Sequence, residues 1–339
     1  MNPTSVDRHQ DLLVDSLADT LEDTLEDGVM DLAVHSMTAA ADGVLVLELV
    51  DPEGGLLPSW TPGAHIDLGL ADTVRQYSLC GDPRDHDRYR VAVLREERSR
   101  GGSSYVHEEL RPGEVVEVGG PRNHFTLQPA EQYLFIAGGI GITPILAMVR
   151  EVRASGSPWR LVYGGRSRAS MTFVAELAEL AGDGDVRLQP QDELGPIDVA
   201  SLLADPVPGL AVYCCGPTGL IEAVESACAD WPDGALHTER FVAKDLSGLV
   251  SAPVAVHCAR SGLDLQVPGS TTILDALEDA GLSVANACRD GVCGSCDLAV
   301  LDGVPDHRDS YRSPQEQDDT GAMAVCVSRA KTPSLVLDI

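Results

Sequence analysis

The chain has 339 residues, enough for two or three domains that each bury a core, and 44% of its residues are hydrophobic, as in ordinary globular proteins. This composition excludes disordered and fibrous proteins. Acidic residues dominate, with 53 Asp and Glu against 24 Lys and Arg and a formal net charge of -29, so nucleic acid and anionic lipid surfaces are unfavourable partners.

The first 30 residues form an acidic stretch without the basic start and apolar run of a signal peptide, and the nine cysteines are an odd number. Both features lead us to expect a protein of the reducing cytoplasm. No segment approaches the apolar length that spans a membrane. Leucines recur every four residues in 11–26 with acids between them, which predicts a short amphipathic helix. It could dock on its own chain, dock on a partner, or be partly disordered.

Short alternating apolar and polar runs, punctuated by Pro, Gly and Asp, fill residues 31–128. Three of them, at 44–49, 65–68 and 89–94, have the period of two that is typical of half-buried strands. We therefore predict an antiparallel β-barrel or sandwich over this region.

Two features of this region could bind a phosphate. Arg75 begins an apparent strand that continues through Tyr77, Ser78 and Leu79. A turn of small residues follows the 89–94 strand and contains Gly101, Gly102, Ser103 and Ser104. A guanidinium with nearby hydroxyls and free amides suits a phosphate, although an ordinary exposed arginine beside an ordinary loop would give the same pattern.

From residue 129 to residue 242, apolar strands alternate with helical stretches, as in successive β-α units of a parallel sheet. The predicted strands are 133–137, 160–163 and 211–215, and the predicted helices are 145–153, 173–180 and 220–229.

Small residues follow three of these strands, at the sheet edge where open α/β sheets bind ligands. After the first strand the sequence Gly-Gly-Ile-Gly-Ile-Thr-Pro contains Gly139, Gly141, Thr143 and Pro144. Its glycines permit close backbone approach, and its proline suits a first helical turn that faces a phosphate, although it is not the common dinucleotide fingerprint. Later strand ends carry Gly164 and Arg166, and then Cys215, Gly216 and Pro217. Together they predict a nucleotide site.

The third region, 252–339, follows a predicted linker at 243–251 and contains a cysteine pattern. Cys288, Cys293 and Cys296 share one loop rich in small residues, and Cys326 follows 29 residues later. This C-x4-C-x2-C…C spacing is that of a plant-type 2Fe-2S ferredoxin. A structural zinc site is the alternative, but it usually takes two short ligand pairs separated by a longer loop.

The order of these motifs resembles the phthalate dioxygenase reductase family, which includes the vanillate O-demethylase reductases, and the resemblance covers residues 31–339. It implies a multidomain α+β and α/β protein. Its expected parts are an FMN-binding antiparallel β-barrel at 31–128, a Rossmann-like NAD(P)H-binding parallel sheet at 129–242, and a C-terminal β-grasp ferredoxin domain at 252–339.

The resemblance also implies roles for single residues. Arg75 with Ser103 or Ser104 would hold the flavin phosphate, and Tyr77, Ser78 and Leu79 would line the isoalloxazine ring. Thr143 would lie near the reactive edge of the flavin and Cys215 near the nicotinamide. Phe241 would cover the flavin, or would be a core aromatic at a domain boundary, and His65 would lie near the flavin or be a hydrogen-bonded structural histidine.

The implied function is reductase chemistry, with a hydride passing from NADH to FMN and single electrons then passing through the cluster. The implied acceptor is a terminal oxygenase, a Rieske non-haem iron demethylase or hydroxylase. Residues 250–339 contain 13 Asp and Glu against 6 Arg and Lys, a net charge of -7, so we expect a basic docking patch on the partner facing this domain. We expect a monomer.

Several alternatives stay open. The acceptor could be a haem-thiolate monooxygenase or a separate ferredoxin. The chain could instead be a non-catalytic iron–sulfur redox sensor, or a zinc-bearing binding module. NADPH could replace NADH, because Arg166 and Arg168 could accept a 2′-phosphate. The choice of FMN over FAD depends on the resemblance alone.

Overall fold

A computed structural model of the chain describes residues 28–71, 73–97, 101–182, 186–312 and 314–339. The acidic helix predicted at 11–26 lies outside these residues. Three main sheets follow one another along the chain, in the three regions that the sequence predicted. Among the described residues, every helix is too short or too polar to cross a lipid bilayer.

The first sheet is antiparallel and six-stranded, in the order β4-β3-β6-β1-β2-β5. A bridge between Leu79 and Val91 joins its two edge strands and closes the barrel. The alternating side chains fill the interior, where Leu47, Leu49 and Ile66 are fully buried. Its elements are β1 (Val29–Ala41), β2 (Val44–Val50), β3 (His65–Leu70), β4 (Thr73–Ser78), β5 (Tyr89–Leu94), α1 (Gly102–Glu108) and β6 (Val115–Arg122).

The second sheet is parallel and five-stranded, in the order β11-β10-β7-β8-β9. Its elements are β7 (Gln132–Gly138), α2 (Ile142–Ser155), β8 (Trp159–Gly165), α3 (Val174–Leu180), β9 (Val186–Pro190), α4 (Gln191–Leu194), α5 (Val199–Leu202), β10 (Leu210–Cys215), α6 (Thr218–Ala227) and β11 (Leu236–Glu239), with 3-10 turns at Gly139–Gly141 and Arg168–Ser170. Helices cover both faces of this sheet, so there is a hydrophobic core on each side of it. Successive residues of β7 point into different cores: Phe135 packs on one side and Ile136 on the other.

The chain starts this sheet at β7 and adds strands first on one side and then on the other, so the strand order reverses between β7 and β10. A crevice opens at such a reversal, beyond the carboxyl ends of the strands. The turns after β7 and β10, which carry two of the three predicted strand-end motifs, therefore meet there.

The third sheet has the order β13-β12-β18-β14-β16, and β12 pairs in parallel with the last strand. Its helix α7 begins at an N-cap, where the Thr272 hydroxyl accepts the Asp275 N–H at 3.0 Å. The elements are β12 (Val254–Cys258), β13 (Leu263–Val267), α7 (Ile273–Asp279), β14 (Asp297–Asp302), β15 (Pro305–Asp306), α8 (Pro314–Asp319), β16 (Ala322–Ala324), β17 (Arg329–Ala330) and β18 (Ser334–Leu337). This is the β-grasp arrangement that the sequence predicted.

The segment between β11 and β12 contains no helix or strand, as expected for the linker at 243–251. Hydrogen bonds that involve Lys244 and Arg308 tie it to the third domain. The Lys244 N–H donates to the Ser310 hydroxyl at 2.9 Å, and the Arg308 guanidinium donates to the Ser251 hydroxyl at 2.9 Å. The apolar side chains of Leu249 and Val250 are exposed.

Candidate functional site

The turns after β7 and β10 pack backbone against backbone. A methyl group on Gly141 would overlap the Cys215 carbonyl, and one on Gly216 would lie 2.9 Å from the Gly138 backbone. Only glycine permits this approach. Thr143 and Pro144 lie in the first turn of α2, and the Thr143 hydroxyl donates to the Ile140 carbonyl at 2.9 Å. This arrangement leaves the free N–H groups of α2 at the crevice, where a phosphate can bind.

A carboxylic acid lies in the same crevice. Glu239 ends β11, and its carboxylate is 4.0 Å from the fully buried thiol of Cys215. Although the residue keeps some exposed surface, protein atoms surround the carboxylate, and this burial raises its pKa to about 8. Burial, with the nearby acid, also raises the pKa of the Cys215 thiol well above its usual value. The sequence prediction missed Glu239, although its position at a strand end is the signal that identified Cys215.

The end of β8 carries Gly164 and then Arg166, whose side chain is 85% exposed and lies 4.0 Å from Glu97. Arg168 forms a shorter ion pair, with 3.0 Å between its Nε and Glu193 Oε1. Arg166 and Arg168, the two cations that could accept the 2′-phosphate of NADPH, are therefore both already beside carboxylates.

The barrel residues gather around the start of α1. A methyl group on Gly102 would lie 2.5 Å from the Arg75 side chain, so the arginine lies directly against this turn. The Ser103 hydroxyl accepts the Glu96 N–H at 3.2 Å, and the Ser104 hydroxyl donates to the Gly101 carbonyl at 3.1 Å. These bonds shape the turn beside the guanidinium, which is the chemistry that a phosphate requires.

The other predicted flavin residues differ in what they can offer. Tyr77 is half-buried, and burial raises its pKa to about 12, so it stays a neutral phenol. Ser78 is opposite His65 in the β3–β4 ladder, and paired residues point to the same face. Leu79 is fully buried in the barrel core, so only its main chain is available at a site. Phe241, just after β11, is 42% exposed.

The four predicted cluster cysteines converge in two pairs. The Cys288 and Cys293 side chains contact each other, as do those of Cys296 and Cys326. Among the described residues, no group of three or more His, Cys, Asp or Glu side chains has the geometry of a single-ion site. Two thiols for each of two irons is the ligand arrangement of a 2Fe-2S cluster, and the two cysteine pairs fit it.

The loop also supplies polar groups to the sulfurs. The Asp290 N–H donates to Cys288 Sγ at 3.3 Å, and the Ser295 hydroxyl lies 3.0 Å from Cys293 Sγ. Hydrogen bonds of this kind offset thiolate charge. Glycines at positions 291 and 294 have φ near +70°, which lets the loop curl around the sulfurs.

Comparisons with known proteins match two regions of the chain to domain families. Residues 135–226 match the oxidoreductase NAD-binding domain, and residues 256–331 match the 2Fe-2S iron-sulfur cluster binding domain. The chain is 44% identical over 314 residues to the phenoxybenzoate dioxygenase subunit beta of Ectopseudomonas oleovorans, covering 91% of this chain and 97% of that protein.

Two solved structures are also similar. One is phthalate dioxygenase reductase, with 37% identity, a TM-score of 0.67, and coverage of 93% of this chain and 99% of that one. The other is an intact type IV self-sufficient cytochrome P450 monooxygenase, with 42% identity and a TM-score of 0.87. That match covers 92% of this chain, which spans about 41% of the longer P450 chain.

Proposed function

Because this chain belongs to the phthalate dioxygenase reductase family, we propose that it passes electrons from NADH through FMN and a 2Fe-2S cluster to a Rieske non-haem iron demethylase or hydroxylase. It is an NAD(P)H-dependent flavin and iron–sulfur oxidoreductase of an oxygenase system. The family, the fold class and the three cofactors predicted from the sequence are confirmed, and neither the zinc module nor the non-catalytic sensor is retained. The pairing of the four cysteines, in a chain that also has a nucleotide-binding crevice, is the observation that most supports the proposal.

In this proposal the crevice between β7 and β10 holds NADH. The backbone of Gly139 and Gly141 and the first turn of α2, with Thr143 and Pro144, bind the pyrophosphate. The adenosine half lies toward Gly164 and Arg166, at the end of β8. The nicotinamide lies against the Cys215, Gly216 and Pro217 turn. The close packing of Gly141 on Cys215 fixes the distance between the turn after β7, which binds the pyrophosphate, and the turn after β10, which contacts the nicotinamide.

The barrel holds FMN, which supplies the hydride-accepting chemistry when bound. Arg75 and the turn of Gly101, Gly102, Ser103 and Ser104 bind its phosphate. Tyr77, Ser78 and the main chain of Leu79 line the ring, and Phe241 covers it. Ser78, Thr143 and Cys215 orient the two rings for hydride transfer, a step that needs positioning more than acid or base catalysis.

The third domain holds the cluster through Cys288, Cys293, Cys296 and Cys326. Backbone amides and the Ser295 hydroxyl offset the charge on the sulfurs. Cys288 is half-buried and the other three ligands are buried, so the electron exit lies on the Cys288 side. In this proposal the domains are the FMN-binding barrel at 31–128, the nucleotide-binding sheet at 129–242 and the ferredoxin domain at 252–339.

The oxygenase docks through a basic patch that faces the acidic third domain, whose net charge over residues 250–339 is -7. We place the reductase in the cytoplasm as a monomer. Eight of the nine cysteines are buried, five of them outside the proposed cluster ligands, and buried thiols of this kind suit a reducing compartment.

A haem-thiolate monooxygenase is a second candidate acceptor, and one observation favours it. The chain is more similar in structure to the reductase part of the self-sufficient P450 than to phthalate dioxygenase reductase, with TM-scores of 0.87 and 0.67. NADH-dependent reduction of a purified Rieske oxygenase and of a purified P450, each mixed with this protein, separates the two acceptors.

The visible spectrum of the purified protein, before and after NADH, tests the reductase proposal. We expect flavin and iron–sulfur bands that bleach with NADH, one extractable FMN, and about two irons and two sulfides per chain. A colourless protein without iron would overturn the proposal.

A further inference from the structure

Two histidines of the barrel lie between the proposed flavin site and the cluster loop. His65 is 5% exposed and shares its sheet face with Ser78, its partner in the β3–β4 ladder. The His124 ring follows at a centroid distance of 5.9 Å from His65. Both therefore belong to the wall of the barrel that borders Ser78.

His124 touches the third domain directly. A methyl group on Gly294, which lies between ligands Cys293 and Cys296, would be 2.5 Å from His124 Nε2. The His124 ring also lies 4.9 Å from the ring of Tyr311, at a tilt of 50°. Burial lowers the pKa of both imidazoles. The Cys293 backbone lies close to both rings and partly opposes this lowering.

Polar contacts fix the groups on either side of this junction. On the third domain, Asp297 accepts the Tyr311 hydroxyl and pairs with Arg312, whose guanidinium lies 4.6 Å above the Tyr311 ring. On the barrel, Asp67 pairs with Arg122 and accepts the Gln76 amide at 2.7 Å. These contacts hold the side chains that flank the two imidazole rings on either side of the junction.

Packing alone does not explain these side chains. The Nε2 atoms of His65 and His124 are buried without a hydrogen bond of ordinary geometry to the described residues, and the Cys293 backbone offers them only a weak interaction, which is costly for polar groups. Apolar side chains would fill the same space at lower cost. The two rings lie between Ser78, which borders the proposed flavin site, and Gly294 of the cluster loop.

We propose that His65 and His124 are positioning residues that hold the cluster loop against the flavin site, so that single electrons cross at this contact. The proposal rests on the proposed function, because it requires a flavin beside Ser78. The overall step balances: NADH gives up a hydride, two one-electron acceptors are reduced, and one proton is released.

Rapid mixing of the full-length holoenzyme with NADH tests the proposal. In His124→Ala we expect flavin reduction within about twofold of wild type, and cluster reduction at least about tenfold slower, because the cluster loop loses both the contact and the orientation that hold it against the flavin site. Iron content and the electron paramagnetic resonance signal of the reduced cluster should not change. His86→Ala, an exposed barrel histidine, is the matched control.

Amide hydrogen exchange gives a readout that does not depend on turnover. We expect faster exchange at residues 288–296 and 309–312 in His124→Ala, and no change in His86→Ala. A double-mutant cycle with Tyr311→Leu should show that the double variant is no slower than the worse single variant, because both substitutions break one contact.

Unchanged cluster reduction with unchanged exchange in His124→Ala, in a protein that retains its iron, would overturn the inference. Additive effects of the two substitutions would also count against it. If wild-type protein contained no flavin that NADH reduces, the proposed function would fail first, and the two failures are distinguished in the same mixing experiment.

Discussion

Glu193 is the residue that we expect to govern the choice between NADH and NADPH. Its carboxylate pairs with Arg168, one of the cations that could accept a 2′-phosphate. Glu193→Gln frees this cation, and we predict a rise in kcat/KM for NADPH of about threefold to fivefold, the size expected for a surface ion pair, with NADH unchanged. Glu179→Gln, an exposed acid on α3, is the control. Equal changes with both nucleotides would refute the assignment.

Glu239 should make stability depend on pH. Its pKa is about 8 in the folded protein against an ordinary 4.5, so folding takes up a proton between these values. The protonated Glu239 side chain therefore fits the folded protein best, and the free energy of unfolding falls as the pH rises through this window. We predict that Glu239→Gln is more stable than wild type by roughly 2–4 kcal/mol at pH 9 and nearly equal to it at pH 5. Urea titrations at both pH values measure this, with Glu179→Gln as control, and a parallel pH dependence in both proteins would contradict it.

Single residues were predictable from sequence where chemistry fixes their spacing along the chain. Cys288, Cys293 and Cys296 are identified by such spacing. His124 and Glu239 carry no motif, because their partners Gly294 and Cys215 are distant in sequence and meet them only through the fold. A residue can also lie in a predicted motif without offering its side chain to the site. Leu79 is such a residue, because its side chain is buried in the barrel core.

At the scale of elements, the junction of β7 and α2 with β10 requires a residue without a side chain at position 141. Gly141→Ala would press a methyl group onto the Cys215 backbone, which cannot move as a flexible side chain would. We predict a KM for NADH at least about tenfold higher, since a shift of about 1 Å at a reacting site costs up to a hundredfold. Steady-state kinetics measures this.

Gly219→Ala is the matched control for Gly141→Ala. Gly219 lies in the first turn of α6, and a methyl group there meets no atom within 4 Å. Alanine favours helix over glycine, so this variant should keep its KM and be at least as stable as wild type. If both variants behave alike, the turn packing does not control nucleotide binding.

The strands and helices that were predicted in the first two domains lie within about three residues of the observed ones, because apolar runs of period two or 3.6 define them, whereas β1, β6, β9 and β11 were not predicted. Strand β5 has the predicted bounds, whereas α2 begins at Ile142, three residues before the predicted start, where Pro144 still fits a first turn. The two-residue strands β15 and β17 are too short to carry any periodic signal.

For the whole molecule, charge should control delivery to the oxygenase. We expect the acidic third domain to attract a basic partner surface at long range, and salt to screen this attraction. We predict that oxygenase reduction slows by about tenfold between low and high ionic strength, the range that electrostatic steering commonly spans. Reduction of a small uncharged dye by NADH should be unaffected, and an oxygenase rate that ignores salt would contradict the docking proposal.

The order of the three domains was predictable from motif order, but their contact was not. The sequence contains the linker, yet the hydrogen bonds of Lys244 and Arg308 that anchor it join residues 57 or more positions apart. Contacts between domains depend on shapes that each domain acquires only after folding. The junction of His124 with Tyr311 is of the same kind.

The uneven burial of the cysteine ligands has a consequence for oxygen toxicity. Three ligands are buried and Cys288 is half-buried, so the reduced centre has one face open to solvent. A cluster held by these ligands would therefore be open to dioxygen on the same side as to a partner protein. We expect an oxygenase that docks on this side to cover the opening. Without it, we expect the reduced protein to lose single electrons to dioxygen as superoxide, so that a cell with more of this reductase than of its oxygenase would waste NADH.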